Sequence, residues 1–196
     1  LSSSQSFRFV VAETVGFSGI TAGGFLGGGV VFVDSNRDGR QGLDEPGSEI
    51  QRDGSFQFSA RLIDVDSNQD GQLSFADGDL VVNEGFDLWS GSPLSIQMRA
   101  PLDEQIISPL SSLVSAVLDS GAAQTLEEAA ERVARMLGLN HNGENVLSVL
   151  RLDLEGTLDS GNDASRTLLS RMAWLHSMIA QATHLVAGLT DKSPSV

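Results

Sequence analysis

The phrase VDSNRDG at residues 33–39 returns at residues 65–71 as VDSNQDG, and the only difference is Arg37 in the first copy against Gln69 in the second. Each copy begins with a valine and then alternates acidic or amide side chains with other residues before a glycine. Asp, Asn and Gly are ordinary turn residues, so one copy alone could be only a surface turn. Two copies limit the fold more strongly, because both have to hold several like charges close together.

The first copy fits a twelve-residue calcium loop at every position that the pattern D-x-[DN]-x-[DN]-G-x5-E specifies. Ca²⁺ is a hard cation that takes about six to eight oxygen ligands, and short side chains at alternate positions can fold their oxygens around one point. The glycine allows the sharp turn that this requires. The predicted ligands and turn residue are Asp34, Asn36, Asp38, Gly39, Arg40 through its backbone carbonyl, and Glu45.

The second copy repeats these residue types but ends on an aspartate. Leu73 at position 8 is placed to anchor the loop, and Ser74 at position 9 could coordinate directly or hold a water. Because Asp77 is shorter than a glutamate, we expect this site to bind calcium more weakly or to discriminate less against Mg²⁺. The predicted ligands are Asp66, Asn68, Asp70, Gln72 through its backbone carbonyl, and Asp77.

Both loops resemble the calcium loops of EF-hand proteins. The second, DSNQDGQLSFAD, is especially similar to the loops of dockerin modules, which also place aspartate at position 12. The first, VFVDSNRDGRQGLDEPG, resembles the calcium-bearing segment of β-sandwich repeats in bacterial surface adhesins, where a strand precedes the loop and a hairpin follows it. The stretch ISPLSSLVSAVLDSG and the capped helix after it resemble segments of large exported calcium-dependent bacterial proteins. These resemblances imply Ca²⁺ as the cofactor and, for a dockerin, a cohesin as the protein partner.

The charge balance narrows the range of partners. The chain contains 26 Asp and Glu against 12 Lys and Arg, a formal net charge of −14, and no cysteine. This balance argues against nucleic acid and anionic membrane surfaces, both of which attract basic proteins. The lack of cysteine excludes disulfides, thiolate metal sites and cysteine nucleophiles. We expect a soluble protein with no membrane insertion and, since the sequence opens at Leu1 without a methionine, a segment of a longer chain.

Short strands are predicted in the N-terminal half. Residues 29–33 (GVVFV), 79–83 (DLVVN) and 94–98 (LSIQM) are strand candidates, and residues 56–62 alternate apolar and polar side chains as a half-buried strand does. Asp53-Gly54 is a hairpin signal. These features indicate a small antiparallel sheet or sandwich.

Helices are predicted after Pro101, where Leu, Ala, Ser and Glu recur with helical spacing. Ser108-Pro109 predicts the start of one helix, and the capping-box pair Thr125 and Glu128 predicts the start of another, which Gly138 would end. A short helix at residues 144–150 and a long final helix complete the prediction. The final helix would begin near Asp163, and its apolar stripe is Leu168, Met172, Leu175, Ile179, Ala182 and Val186.

The predicted fold class is therefore α+β, with a small antiparallel β-rich N-terminal region that carries two calcium loops and a C-terminal bundle of three to four helices. The predicted boundaries are residues 1–100 for the β-rich calcium-binding region, 101–190 for the helical region and 191–196 for a frayed tail. Whether these regions are one domain or two remains open.

No other motif indicates catalysis. The segment GGFLGGG lacks the Gly-Lys-Ser/Thr ending of a phosphate-binding loop, the three histidines are widely spaced, and no HExxH or GxSxG motif occurs. The partial echo DSGND at residues 159–163 has Ala164 where a calcium loop needs glycine, so a turn and helix cap is the better interpretation. We predict that the protein is not an enzyme.

These observations predict a calcium-binding, non-catalytic structural or adhesive module of an exported bacterial surface protein, rigidified by Ca²⁺ in its two loops. Its expected partners are calcium ions and another surface protein or a glycan, and its expected location is secreted or at the cell surface. One alternative is a dockerin-like module that docks to a protein in a calcium-dependent way. A less favoured alternative is a secreted hydrolase domain in which calcium is only structural.

Overall fold

Residues 13–21, 26–87, 91, 93–94 and 97–138 are described by the computed structural model. Its strands are β1 (Thr14–Thr21), β2 (Leu26–Gly27), β3 (Val30–Asp34), β4 (Gly47–Glu49), β5 (Ser55–Arg61), β6 (Asp79–Asn83), β7 (Phe86–Asp87), β8 (Met98–Pro101) and β9 (Ile106–Ile107). Its helices are α1 (Leu62–Val65), α2 (Pro109–Asp119) and α3 (Leu126–Leu137). In this part of the chain no helix is both long enough and apolar enough to span a bilayer.

The strands form two larger sheets and a two-stranded ribbon. One sheet has the order β4-β3-β6-β8 and is antiparallel throughout. The other has the order β5-β1-β9, in which β1 is antiparallel to β5 and parallel to β9. The ribbon pairs β2 with β7. The core of the fold lies between the two larger sheets.

Strands β3 and β6 are buried on both faces, which explains the consecutive apolar residues within them. One face of this pair packs against the three-stranded sheet, in a core that includes Phe17, Val31, Val33, Phe56, Leu80, Val82 and Ile107. The opposite face lies toward α2, because Ser115 of that helix donates a hydrogen bond to Asp79. The fold is therefore layered as sheet, sheet and helices.

The predicted turn at Asp53-Gly54 is present, although it does not join two paired strands. Gly54 has a φ of 79° and its N–H donates to Gln51 O at 3.0 Å. The strand before the turn, β4, pairs with β3, whereas the strand after it, β5, pairs with β1. The turn therefore carries the chain from one sheet to the other.

Helices α2 and α3 begin where the capping residues predict. Ser108 accepts a hydrogen bond from the N–H of Ser111 at 3.2 Å, and a proline opens α2. Thr125 accepts from the N–H of Glu128 at 3.2 Å at the start of α3, which ends at Gly138 with a φ of 67°. The Glu128 carboxylate accepts from Gln124 N and not from the Thr125 N–H that a reciprocal capping box would use.

The α2 helix docks on β8 through its serines. The Ser111 hydroxyl donates to Arg99 O at 2.8 Å, and the Ser112 hydroxyl accepts from Arg99 N at 2.9 Å. Strand β8 is the last strand of its sheet, so these serines pair backbone groups that would otherwise lack a ladder partner. Leu110, Val114 and Leu118 of the same helix pack with α3.

The predicted fold class is wrong. Within the described residues the chain is β-rich with two larger sheets, one of which contains a parallel pair, and only α2 and α3 follow the strands. The α2 helix contacts β8 and does not belong to a separate bundle, because its serine face, which a count of apolar positions treats as a solvent face, bonds to the sheet. The predicted helices at 144–150 and after Asp163, and the predicted tail at 191–196, lie outside the described residues. The predicted boundary at residue 100 stays a prediction.

Candidate metal centre

Residues 34–45 (loop 1) and residues 66–77 (loop 2) adopt the same backbone conformation. At position 4 of the loop φ is positive, 57° for Arg37 and 60° for Gln69, and at position 6 it is 72° for Gly39 and 81° for Gly71. Positive φ is uncommon for residues other than glycine. Its occurrence at matching positions shows that the sequence repeat is also a structural repeat.

The first carboxylate of each loop accepts hydrogen bonds from the backbone of the turn. Asp34 accepts from the N–H groups at positions 5 and 6 of loop 1, at 3.2 and 2.9 Å. Asp66 accepts from the same two positions of loop 2, at 3.2 and 2.8 Å. Both side chains are buried, with 3% and 8% of their residue surface exposed.

The oxygens at positions 3 and 5 repeat the same pattern. In each loop the amide oxygen at position 3 accepts from the N–H at position 5, and the carboxylate at position 5 accepts from the N–H at position 7. All four of these hydrogen bonds measure 2.8 Å, and the accepting residues are Asn36, Asp38, Asn68 and Asp70. The side chains of these four residues and of Arg40 and Gln72 lie at the exposed rim.

The acid at position 12 closes each loop. It accepts a hydrogen bond from the N–H at position 9, at 2.7 Å for Glu45 and 3.0 Å for Asp77. Its other oxygen reaches back to the start of the loop, to Ser35 N in loop 1 and Asn68 N in loop 2, both at 3.2 Å. Asp77 is fully buried, so the shorter aspartate still reaches the backbone N–H groups inside loop 2.

The two loops lie side by side at one end of the four-stranded sheet. Asp34 is the last residue of β3 and is paired with Asp79, the first residue of β6. Loop 1 therefore leaves the sheet where loop 2 returns to it. Gly78 makes this approach possible, because a Cβ atom there would lie 2.5 Å from the carbonyl oxygen of Asp34.

Loop 2 is anchored in two cores at once. Leu73, at the predicted anchor position, packs against the core between the sheets. Phe75, two residues later, packs against the apolar cluster of α2 and α3. The conformation of loop 2 is therefore tied to the packing of the helices on the sheet.

Loop 1 is held by polar side chains. The carbonyl oxygen of Gly39 accepts hydrogen bonds from Asn83 Nδ2 and Gln97 Nε2. The Arg37 guanidinium donates to the carbonyl oxygen of Phe75 in loop 2, and its Nε lies 3.8 Å from Asp119 Oδ1 at the end of α2.

A charged cluster lies between the loops and α2. Arg99 Nη1 lies 3.1 Å from Asp79 Oδ2 and 2.6 Å from Asp119 Oδ2, and the Ser115 hydroxyl donates to Asp79 Oδ1 at 2.9 Å. Burial raises the pKa of Asp79, while the hydrogen bond from Ser115 and the charge of Arg99 offset part of this rise. Arg99 and Ser115 are therefore the groups that stabilise the buried carboxylate of Asp79.

The residues present fit a calcium ion by donor type. At its predicted ligand positions each loop offers three carboxylates, one side-chain amide oxygen and a backbone carbonyl, which are the hard oxygen donors that Ca²⁺ takes. Within the described residues, no three acidic or histidine side chains converge as a ready-made metal cluster. The carboxylates instead accept hydrogen bonds from backbone N–H groups of their own loop. The metal ligands stay a prediction.

Comparison with family models, with curated proteins and with solved structures finds no match for the chain. The functional inference therefore rests on the two loops and on what surrounds them.

Sequence reasoning missed the residues that connect the loops to the rest of the fold. Arg37, Phe75 and Asp79 are not in the calcium pattern, and their contacts depend on where α2 lies. One signal was available, since Arg37 stands at the single position where the repeated phrases differ. A long basic side chain at that position can leave the loop and contact a neighbour.

Proposed function

We propose that this protein is a calcium-binding, non-catalytic module in which Ca²⁺ in loop 1 and loop 2 fixes the sheets and the helices to one another. One observation carries the proposal: the two loops repeat the same set of hydrogen bonds at positions 1, 3, 5 and 12. A simple turn needs no acid at position 12, whereas a cation loop needs one to close its ligand set.

Electrostatics favours the same proposal. Three of the six acids at the predicted ligand positions are buried, namely Asp34, Asp66 and Asp77, and the two loops adjoin each other. Buried carboxylates are costly unless they are paired, and like charges at short range repel. A divalent cation in each loop would offset both the cost of burying the carboxylates and the repulsion between them.

The proposed setting is outside the cell, as part of a bacterial surface protein. Free calcium is scarce inside cells and abundant outside them, so the loops would fill after export. A cation that binds only the folded state stabilises it by about 2.7 kcal/mol per site when its free concentration is about 100 times Kd. The stiffened module would then serve display or adhesion, with another surface protein or a glycan as its contact.

A structural role is favoured over a dockerin-like docking role by what separates the loops. Between loop 1 and loop 2 the chain forms β4, β5 and the four-residue α1. Leu73 and Phe75 of loop 2 are packed into the protein's own cores. A cation bound there would act first on the packing of this chain.

Thermal unfolding in calcium and in chelator tests the proposal. With both loops filled at about 100 times Kd, calcium should add about 5 kcal/mol, which corresponds to a rise in Tm of roughly 10–20 °C for a chain of this size. Asp34→Asn and Asp66→Asn should each remove about half of the rise. Asp53→Asn alters an exposed acid in the turn between β4 and β5, so it should leave the rise intact. Equal melting curves for the unaltered protein in calcium and chelator would contradict the proposal.

A further inference from the structure

Arg37 contacts three parts of the molecule at once. Its backbone belongs to loop 1, between the predicted ligands Asn36 and Asp38. Its guanidinium donates to the carbonyl oxygen of Phe75 in loop 2 and lies 3.8 Å from Asp119 on α2. Gln69, which holds the same position in loop 2 with nearly the same φ, has a shorter and uncharged side chain. The side chain of Arg37 therefore links loop 1 to loop 2 and to α2.

On α2, the Arg37 guanidinium lies near the Asp119 carboxylate, which is stabilised by positively charged side chains. Asp119 is the last residue of α2, where the helix dipole disfavours negative charge. Arg99 at 2.6 Å and Arg37 at 3.8 Å supply positive charge to it from two sides. Arg99 also pairs with Asp79, which follows loop 2 and is the cross-strand partner of Asp34 in loop 1. Arg37 and Arg99 thus connect both loops to the C-terminal end of α2.

We propose that Arg37 is a positioning residue that couples the two cation loops, so that filling one raises the affinity of the other. This inference rests on the proposed function. A cation in loop 1 fixes the backbone on both sides of Arg37 and holds its guanidinium on the Phe75 carbonyl. Phe75 lies two residues before Asp77, so the same contact holds the end of loop 2 in its binding geometry. Coupling between two binding sites is reciprocal, so a cation in loop 2 favours loop 1 by the same factor.

The exposure of the contact sets the size of the effect. The side chains of Arg37 and Asp119 are 38% and 30% exposed, and exposed ion pairs are weak. We therefore expect a coupling factor near the lower end of the usual range, about fivefold.

Calcium titration calorimetry on the full chain, fitted to two sequential binding constants, tests the coupling. The unaltered protein should bind two ions with positive cooperativity. Arg37→Gln gives loop 1 the residue that loop 2 carries at this position; it should still bind two ions, with the coupling reduced about fivefold. Arg52→Gln is the matched control, because it removes the same charge from an exposed side chain between β4 and β5, outside both loops. It should retain the coupling.

The outcomes separate this inference from the function on which it rests. If the unaltered protein binds no calcium, the proposed function fails. If it binds one ion, calcium fills only one of the two loops, and both the proposed function and the inference fail. If it binds two ions without coupling, the inference alone fails. The inference also fails if Arg37→Gln keeps the coupling or if Arg52→Gln loses it equally. Should Arg37→Gln not fold, Arg37→Lys keeps the positive charge beside Asp119 but removes the guanidinium nitrogen that donates to the carbonyl oxygen of Phe75. Full coupling in that variant would overturn the proposal.

Discussion

At the scale of single residues, two kinds of glycine hold the loops in place. Gly39 and Gly71 supply the positive φ of the sharp turn within each loop. Gly78 does something different, because it lets loop 2 return to the sheet against the carbonyl of Asp34 with no room for a side chain. The role of Gly39 and Gly71 is local and could be predicted from the spacing of the motif. The role of Gly78 depends on the pairing of β3 with β6, so it could not be predicted from the motif.

Gly78→Ala should destabilise the protein strongly. The φ of 149° is strained for alanine, and the added Cβ would meet a backbone oxygen that can move only if β3 and β6 separate. We expect a loss of more than about 2 kcal/mol of unfolding free energy in chelator. Gly16→Ala in β1 is the control, since its Cβ would meet nothing within 4 Å. It should change stability by no more than about 0.5 kcal/mol. Similar denaturant midpoints for both variants would refute this account of Gly78.

At the scale of elements, the starts of α2 and α3 could be predicted, while their packing could not. Caps are local, so Ser108 and Thr125 mark the first turns without knowledge of the fold. The packing of α2 depends on Ser111, Ser112 and Ser115, which resemble a solvent-facing polar side in the sequence. In the fold they bond to β8 and to Asp79. A polar residue can face a buried strand edge when that edge offers unpaired backbone groups.

Ser115→Ala tests whether this polar packing stabilises the fold. The variant would remove the hydroxyl that donates to Asp79 Oδ1 and would leave a buried carboxylate oxygen without that partner. We expect a loss of about 1–3 kcal/mol in urea unfolding. Ser120→Ala, at an exposed position just after α2, should change stability by less than about 1 kcal/mol. An equal effect of the two changes would show that Ser115 has no special role in docking α2.

At the scale of the whole molecule, the order of strands in the sheets could not be predicted. β3 and β6 were apparent as short strand candidates with consecutive apolar residues. β1 was missed because its sequence, TVGFSGIT, has two glycines and few large apolar residues. Its stability comes from pairing with β5 and β9, which lie far away in the sequence. Gly19 of β1 lies so close to Gln105 that a Cβ would be 2.0 Å from its carbonyl oxygen, so this glycine serves strand contact and is not a strand breaker.

The candidate ligands could be chosen from spacing because they lie within single twelve-residue segments. The residues that contact the two loops come from both sheets and from α2, which are distant in the sequence. They could not be chosen from spacing. On this account, calcium acts at the junction of three layers. It should therefore alter the stability of the whole described fold and not of the loops alone.

The most direct test of this account is the number of calcium ions that the protein binds in titration calorimetry. We predict two ions for the unaltered protein and one each for Asp34→Asn and Asp66→Asn, since each change removes the negative charge and one oxygen of the first ligand of one loop. The charge-matched control Asp53→Asn should still bind two. No binding heat in the unaltered protein, or two ions in both loop variants, would contradict the claim that the repeated phrases form calcium sites.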